Sequence, residues 1–150
     1  MLTIILSISS VIVNVFIITV TVLIVYRYLF CVMSHGRIGK GLLRDSFIFA
    51  FVIFLLFSGH IIQIAVWAIL FMLLGEFKEF STSMYYSMVN FSSLGYGDIV
   101  MSPRWRLLGS MEAVIGILMF GVSTAVLVDI LRRIFRDRLR GMHDRIIGNK

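Results

Sequence analysis

Three long apolar runs dominate the chain: Leu2 to Val25, Ser46 to Leu74 and Leu107 to Leu131. Each exceeds the roughly 20 residues that an α-helix needs to cross a hydrocarbon layer of about 30 Å. The first run carries no ionisable side chain, the second only His60, and the third only Glu112 and Asp129. Between the second and third runs the pattern changes. Gly75 to Phe80 is a polar break containing Glu76, Lys78 and Glu79, and Ser81 to Ser92 then resumes as a short, moderately apolar segment. About three turns of helix are too few to span a bilayer. A helix over 81–92, followed by glycines and a return to the same side, predicts a re-entrant loop. Such backbone is tolerated at membrane depth only where protein or water satisfies it, because bare N–H and C=O groups in lipid cost several kcal/mol each. The expected fold is an all-α membrane protein with three transmembrane helices and one short re-entrant helix.

Composition agrees with lipid as the solvent: 59% of the 150 residues are hydrophobic, one is proline, and the mean hydropathy is +0.99. These values lie outside the soluble globular range. No internal repeat and no long linker divides the chain. It reads as an N-terminal span over 1–30, a connector over 31–45 containing Gly36, Gly39 and Gly41, a module over 46–131, and a basic tail over 132–150. Within the module the pieces are an outer helix 46–74, a short helix 81–92, a glycine-bearing run 93–98 and an inner helix 107–131. Met1 to Val25 lacks the charged start, short apolar region and cleavage site of a signal peptide. The single cysteine, Cys31, excludes an internal disulfide framework.

The net charge of +6 raises nucleic acid as a partner, but the placement of the charges argues against it. Arg27, Arg37, Lys40 and Arg44 fall in or beside the first connection, and Arg132, Arg133, Arg136, Arg138, Arg140, Arg145 and Lys150 follow the last span. Only Lys78, Arg104 and Arg106 lie between the second and third spans. Lysine and arginine near helix ends stay on the cytoplasmic side. The expected topology is therefore a multi-pass plasma-membrane protein with the N-terminus outside and the C-terminus cytoplasmic. The tail arginines, interleaved with Ile134, Phe135 and Leu139, read as an anchor at anionic lipid headgroups.

The run Ser93-Leu94-Gly95-Tyr96-Gly97-Asp98 directly follows the short helix. Gly95 and Gly97 admit positive φ without a Cβ penalty. A row of backbone carbonyls aimed at one axis needs that freedom, and such a row replaces the hydration shell of a cation. The run resembles the selectivity-filter signature of potassium channels, commonly Thr-Val-Gly-Tyr-Gly-Asp, with Ser93 in the threonine position and Leu94 in the valine position. Further along, Trp105-Arg106-Leu107-Leu108-Gly109, Glu112, Gly116 and Met119-Phe120-Gly121 are similar to small prokaryotic ion-channel proteins with two pore helices, here with an added N-terminal span.

This resemblance implies a potassium-selective channel with no cofactor, potassium being the permeant ligand. It implies ion coordination by the carbonyls of Ser93, Leu94, Gly95 and Tyr96, with the Ser93 hydroxyl at the inner end. Gly97, Asp98, Tyr85 and Tyr86 would support the filter, the Tyr96 ring bracing it against Tyr85 or Tyr86. One filter segment supplies one wall and the coordinating cage of the family needs four, so the resemblance implies a homotetramer, with fourfold cyclic symmetry as the simplest closure. The alternatives are a weakly selective sodium/potassium channel and a non-conducting accessory subunit. Neither added helix stacks charges as a voltage sensor does, and the tail is too short for a folded nucleotide- or calcium-binding domain. An enzyme is not expected, since no nucleophile, base and orienting group share a plausible site.

Four further positions carry expectations. Glu112, an acid inside a span, asks for a partner. It is expected behind the filter, bonded to Ser83, Ser87, Asn90, Gln63 or His60, the alternative being a side chain that snorkels to the outer headgroups. Gly116 and Gly121 either bend the inner helix during gating or let neighbours approach closely. His60 is expected to be a neutral histidine hydrogen-bonded to a neighbouring helix, with pH sensing as the sharper alternative.

Overall fold

The computed structural model describes the backbone of residues 2–34 and 41–147, and side chains over 5–34, 41–136 and at 139. The charges and glycines expected at 35–40, and the side chains of Arg138, Arg140, Arg145 and Lys150, lie outside the described residues. Four helices follow in order: α1 (Leu2–Ser34), α2 (Leu42–Leu73), α3 (Phe80–Phe91) and α4 (Arg106–Ile147). No strand occurs among the described residues. Three segments are long and apolar enough to cross a membrane: Ile5–Ser34, Leu42–Leu73 and Arg106–Arg136. The fold is all-helical, as the hydropathy pattern predicts.

α1 is rich in β-branched Ile, Val and Thr, which form helices poorly in water. In lipid the backbone has no alternative partner, so helix wins over propensity. The buried positions of α1 fall at Ser7, Ser10, Asn14, Ile18, Thr21, Val25, Leu29 and Val32. The three- and four-residue spacing marks one helix face. Its complement, including Ile8, Ile12, Phe16, Leu23 and Phe30, is exposed. Over its first turns this face is reversed relative to a soluble helix: Ser7, Ser10 and Asn14 turn to protein, and Ile8, Ile12 and Phe16 turn outward.

The chain divides into two compact units. The first comprises Met1–Val20 and Ser58–Gly121, and so holds α3 with the adjoining parts of α1, α2 and α4. Trp67, Phe71, Phe91 and Leu108 are fully buried in it, beside the polar Asn14, Gln63, Ser83, Ser87 and Glu112. α2 ends there in a Schellman motif. Glu76 N–H donates to the Phe71 carbonyl (3.1 Å), Gly75 N–H to the Met72 carbonyl (2.9 Å), and Gly75 takes a left-handed φ of 78°.

The second unit comprises Thr21–Phe57 and Val122–Lys150. Its core is aliphatic, built from Val25, Leu29 and Val32 of α1, Ile48, Val52 and Leu56 of α2, and Val126, Ile130 and Ile134 of α4. Asp129 accepts from the Tyr26 hydroxyl (3.1 Å) and from Arg133 Nε (2.9 Å), with the Arg133 guanidinium 5.8 Å from the Tyr26 ring centroid.

Candidate functional site

α3 is tied to its neighbours along one stripe. Ser83 donates to the Ala68 carbonyl of α2 (2.7 Å), Ser87 to Glu112 Oε1 (2.5 Å), and Asn90 to both Glu112 Oε2 (2.7 Å) and the Gly109 carbonyl (2.6 Å). Positions 83, 87 and 90 succeed one another by four and three residues, so all three side chains emerge from one face. Both Glu112 oxygens are used, and the residue is 0% exposed. The structure thus brings Glu112 to Ser87 and Asn90; it bonds Ser83, His60 and Gln63 elsewhere.

The close fit of α3 on α4 depends on two glycines. A Cβ at Gly116 would run into the Phe91 carbonyl, and one at Gly109 would meet the Tyr86 hydroxyl at 2.5 Å and the Met101 sulfur at 3.1 Å. Gly116 therefore serves the close approach of two helices. Gly121 is different: a Cβ there meets nothing within 4 Å.

Past α3 the backbone leaves the helix through a second Schellman motif. Leu94 N–H donates to the Val89 carbonyl (3.0 Å) and Ser93 N–H to the Asn90 carbonyl (2.9 Å). The left-handed position falls on Ser93, with φ 59°. A serine there costs on the order of 1–2 kcal/mol relative to right-handed backbone. Gly95 and Gly97 follow at φ 61° and 74°, while Leu94, Tyr96 and Asp98 keep negative φ. The sign of φ thus alternates from residue 93 to residue 98. Where the intervening residues of negative φ are right-handed, such alternation gathers successive N–H groups on one side of the chain and leaves the opposite side to the carbonyls.

Two carboxylates hold the segment that follows. Tyr85 of α3 donates its hydroxyl to Asp98 Oδ2 at 2.7 Å. That bond is the main reason the Tyr85 phenol is raised above its ordinary pKa, followed by burial and the charge of Asp98. Glu76, just past α2, accepts from the Ser102 N–H (2.9 Å) and hydroxyl (2.5 Å), fastening the return leg before α4. Arg104 lies 5.0 Å from the Trp105 ring centroid, and Trp105 is buried.

Tyr86 is placed differently from Tyr85. Its ring sits between Phe71 (centroids 5.5 Å apart, 78° between planes) and Phe77 (5.2 Å, 41°). Burial pushes its phenol up to about 12, with Glu112 and then Glu76 adding to the rise. Tyr96 is 68% exposed, and among the described residues its ring does not stack on Tyr85 or Tyr86. The two tyrosines thus diverge: Tyr85 reaches Asp98, whereas Tyr86 packs on Phe71 of α2 and on Phe77. A cleft of about 450 Å³ lies between α3 and the return leg, with Tyr85, Asn90, Asp98 and Arg106 in its lining.

Sequence reasoning missed Glu76 and Ser102, which stand 26 positions apart with no shared pattern. It named Gln63 and His60, but as partners for Glu112; the structure pairs them with each other, at 2.9 Å, instead. Among the described residues no group of three or more His, Cys, Asp or Glu side chains is placed to hold a metal ion. The sequence model of a protein family described as ion channel matches residues 50–133. No curated protein and no solved structure matches the chain.

Proposed function

The chain belongs to the ion-channel family, the match covering residues 50–133, and from that premise we propose that it is a potassium-selective channel whose filter is residues 93–98. The observation that carries this reading is the alternating sign of φ at Ser93, Gly95 and Gly97 in a Ser-Leu-Gly-Tyr-Gly-Asp run, held at its far end by Tyr85 on Asp98. Carbonyls turned to one side by that alternation can take the place of a hydration shell. The carbonyls of Ser93, Leu94, Gly95 and Tyr96 are the proposed ligands of the passing ion, with the Ser93 hydroxyl below them.

One chain offers one such wall, and residues 92–98 are exposed except for backbone bonds at their start. Four copies around a central axis complete the cage, and α3 with its return leg becomes a re-entrant loop. The charge asymmetry orients each copy with the filter side outward and the tail in the cytoplasm. There the exposed Arg132 and Arg136, beside Leu131, Phe135 and Leu139, suit anionic headgroups above apolar chains.

A second reading, a channel that discriminates poorly between sodium and potassium, is favoured by one observation. Ser93 holds a left-handed backbone that costs a non-glycine residue on the order of 1–2 kcal/mol, and relief of that strain would shift the carbonyls at the inner end of the filter.

Potassium-driven flux into vesicles containing the purified protein tests conduction through this segment. Wild type passes the ion. Gly95→Ala, which places a Cβ on a residue at φ 61°, abolishes flux while the protein still inserts. Undiminished flux in Gly95→Ala would remove residues 93–98 from the pathway.

A further inference from the structure

The first part of α1 lies outside the residues matched by the ion-channel family, yet it carries a fully buried polar side chain, Asn14. The Asn14 main-chain carbonyl accepts a 3.0 Å hydrogen bond from Gln63 Nε2 of α2. A main-chain carbonyl only accepts, so the Gln63 amide is oriented without ambiguity, nitrogen toward α1 and oxygen toward His60. Gln63 Oε1 lies 2.9 Å from His60 Nδ1, which must therefore carry the proton. Asn14 is itself held by the bond its amide donates to the Ser10 carbonyl (2.8 Å).

The His60 ring, pinned in this way, faces two aromatic rings. Its centroid lies 4.7 Å from that of Phe120 and 6.1 Å from that of Phe91, and those two meet edge-on at 5.6 Å and 73°. Phe91 is the last residue of α3, and its carbonyl rests against Gly116. The next residues open the left-handed turn at Ser93. All of these groups belong to the first compact unit.

We propose that α1 positions the filter: the Asn14 carbonyl, Gln63 and His60 form a buried relay that fixes Phe91, and with it the end of α3 from which residues 93–98 depart. Gln63 and His60 are positioning residues for ion selection, acting through Phe91. The inference rests on the reading of residues 93–98 as the filter. Hydrogen bonds between helices in membranes contribute little stability on average. A glutamine bonded at both ends instead confines the imidazole to one orientation, and a filter responds to orientation. The competing account is a plain fastener between α1 and α2, which would govern assembly and leave selection alone.

The test uses the full chain in planar bilayers with potassium on one side and sodium on the other. Gln63→Met keeps the side-chain length and removes both bonds. It is expected to lower the potassium-over-sodium permeability ratio about threefold or more, within the range seen for mutations along coupled networks. Gln63→Glu, protonated in this setting, retains a donor and an acceptor and restores most of the ratio. Tyr26→Phe, in the second unit, leaves the ratio unchanged. His60→Phe keeps a ring against Phe91 and Phe120 but gives up the bond to Gln63; it lowers the ratio too, and adding Gln63→Met to it has no further effect. A wild-type ratio in assembled Gln63→Met channels, or undiminished additivity in the double variant, overturns the proposal. If Gln63→Met does not assemble, His60→Phe decides alone, and a wild-type ratio there overturns it equally. A wild-type channel that does not discriminate potassium from sodium defeats the filter reading, and this proposal with it, before any variant is compared.

Discussion

At the scale of single residues, the chain places polar groups in apolar surroundings and then gives them partners. Glu112 has both oxygens occupied by donors from α3, and a carboxyl in the early turns of an apolar span would otherwise be costly. Glu112→Leu removes the acceptors and leaves the Ser87 and Asn90 donors exposed to an apolar wall. Stability of the assembled protein in detergent is expected to fall by roughly 1–3 kcal/mol per assembled chain, whereas Glu112→Gln keeps the shape and most of the bonds and falls by less. Thermal melting of the assembled species on native gels measures both, and equal melting of wild type and Glu112→Leu would make the residue peripheral. Tyr85 carries a pH prediction. Its phenol is raised by the bond to Asp98, so the donor form persists through the ordinary tyrosine range and is lost only as pH rises through the raised value. Ion selection is expected to stay constant from neutral to mildly alkaline external pH and to weaken only in strong alkali, and Tyr85→Phe should show the weakened behaviour at every pH. Reversal potentials across an external pH series provide the check.

At the scale of elements, the outlines of the helices were legible and their ends were not. Apolar length alone announced three spans, and the polar break at Gly75 to Phe80 announced a separate short helix, expected at 81–92 and found at Phe80–Phe91. Hydropathy reports contact with lipid, however, and backbone hydrogen bonding does not stop where lipid does. α1 therefore continues to Ser34 and α4 to Ile147, through arginines and leucines that are good helix formers in any solvent. The glycines at 95 and 97 pointed to left-handed backbone; Ser93 gave no such signal, because its left-handed turn arises from the capping bonds of Val89 and Asn90. The relay from Asn14 was hidden for a related reason: the group it uses is a main-chain carbonyl, which every residue possesses. Gly116 and Gly121 looked alike in sequence, and only the helix opposite tells them apart. Gly116→Ala should drive α3 from α4 and cost about 1–3 kcal/mol, as overfilled cores do. Gly121→Ala, with open space around it, should leave the melting temperature nearly unchanged. Similar melting for the two variants would contradict the close approach of α3 to α4.

At the scale of the whole molecule, the account joins three observations: helices that suit a membrane, an excess of positive charge after the last span, and a six-residue segment of alternating φ sign held at its far end by Tyr85 on Asp98, with Glu76 fastening Ser102 beyond it. Membership of the ion-channel family makes passage of ions the shared premise. The identity of the ion is the claim that belongs to this chain, and it is proposed on the likeness of residues 93–98 to a carbonyl-lined potassium filter. The most direct measurement is the reversal potential of the purified wild-type protein in a planar bilayer, with potassium chloride on one side and an equal concentration of sodium chloride on the other. The account predicts a reversal potential displaced far from zero in the direction set by potassium permeation, and reversed in sign when the two solutions are exchanged. A reversal potential at zero, with currents of equal size in both directions, would contradict it.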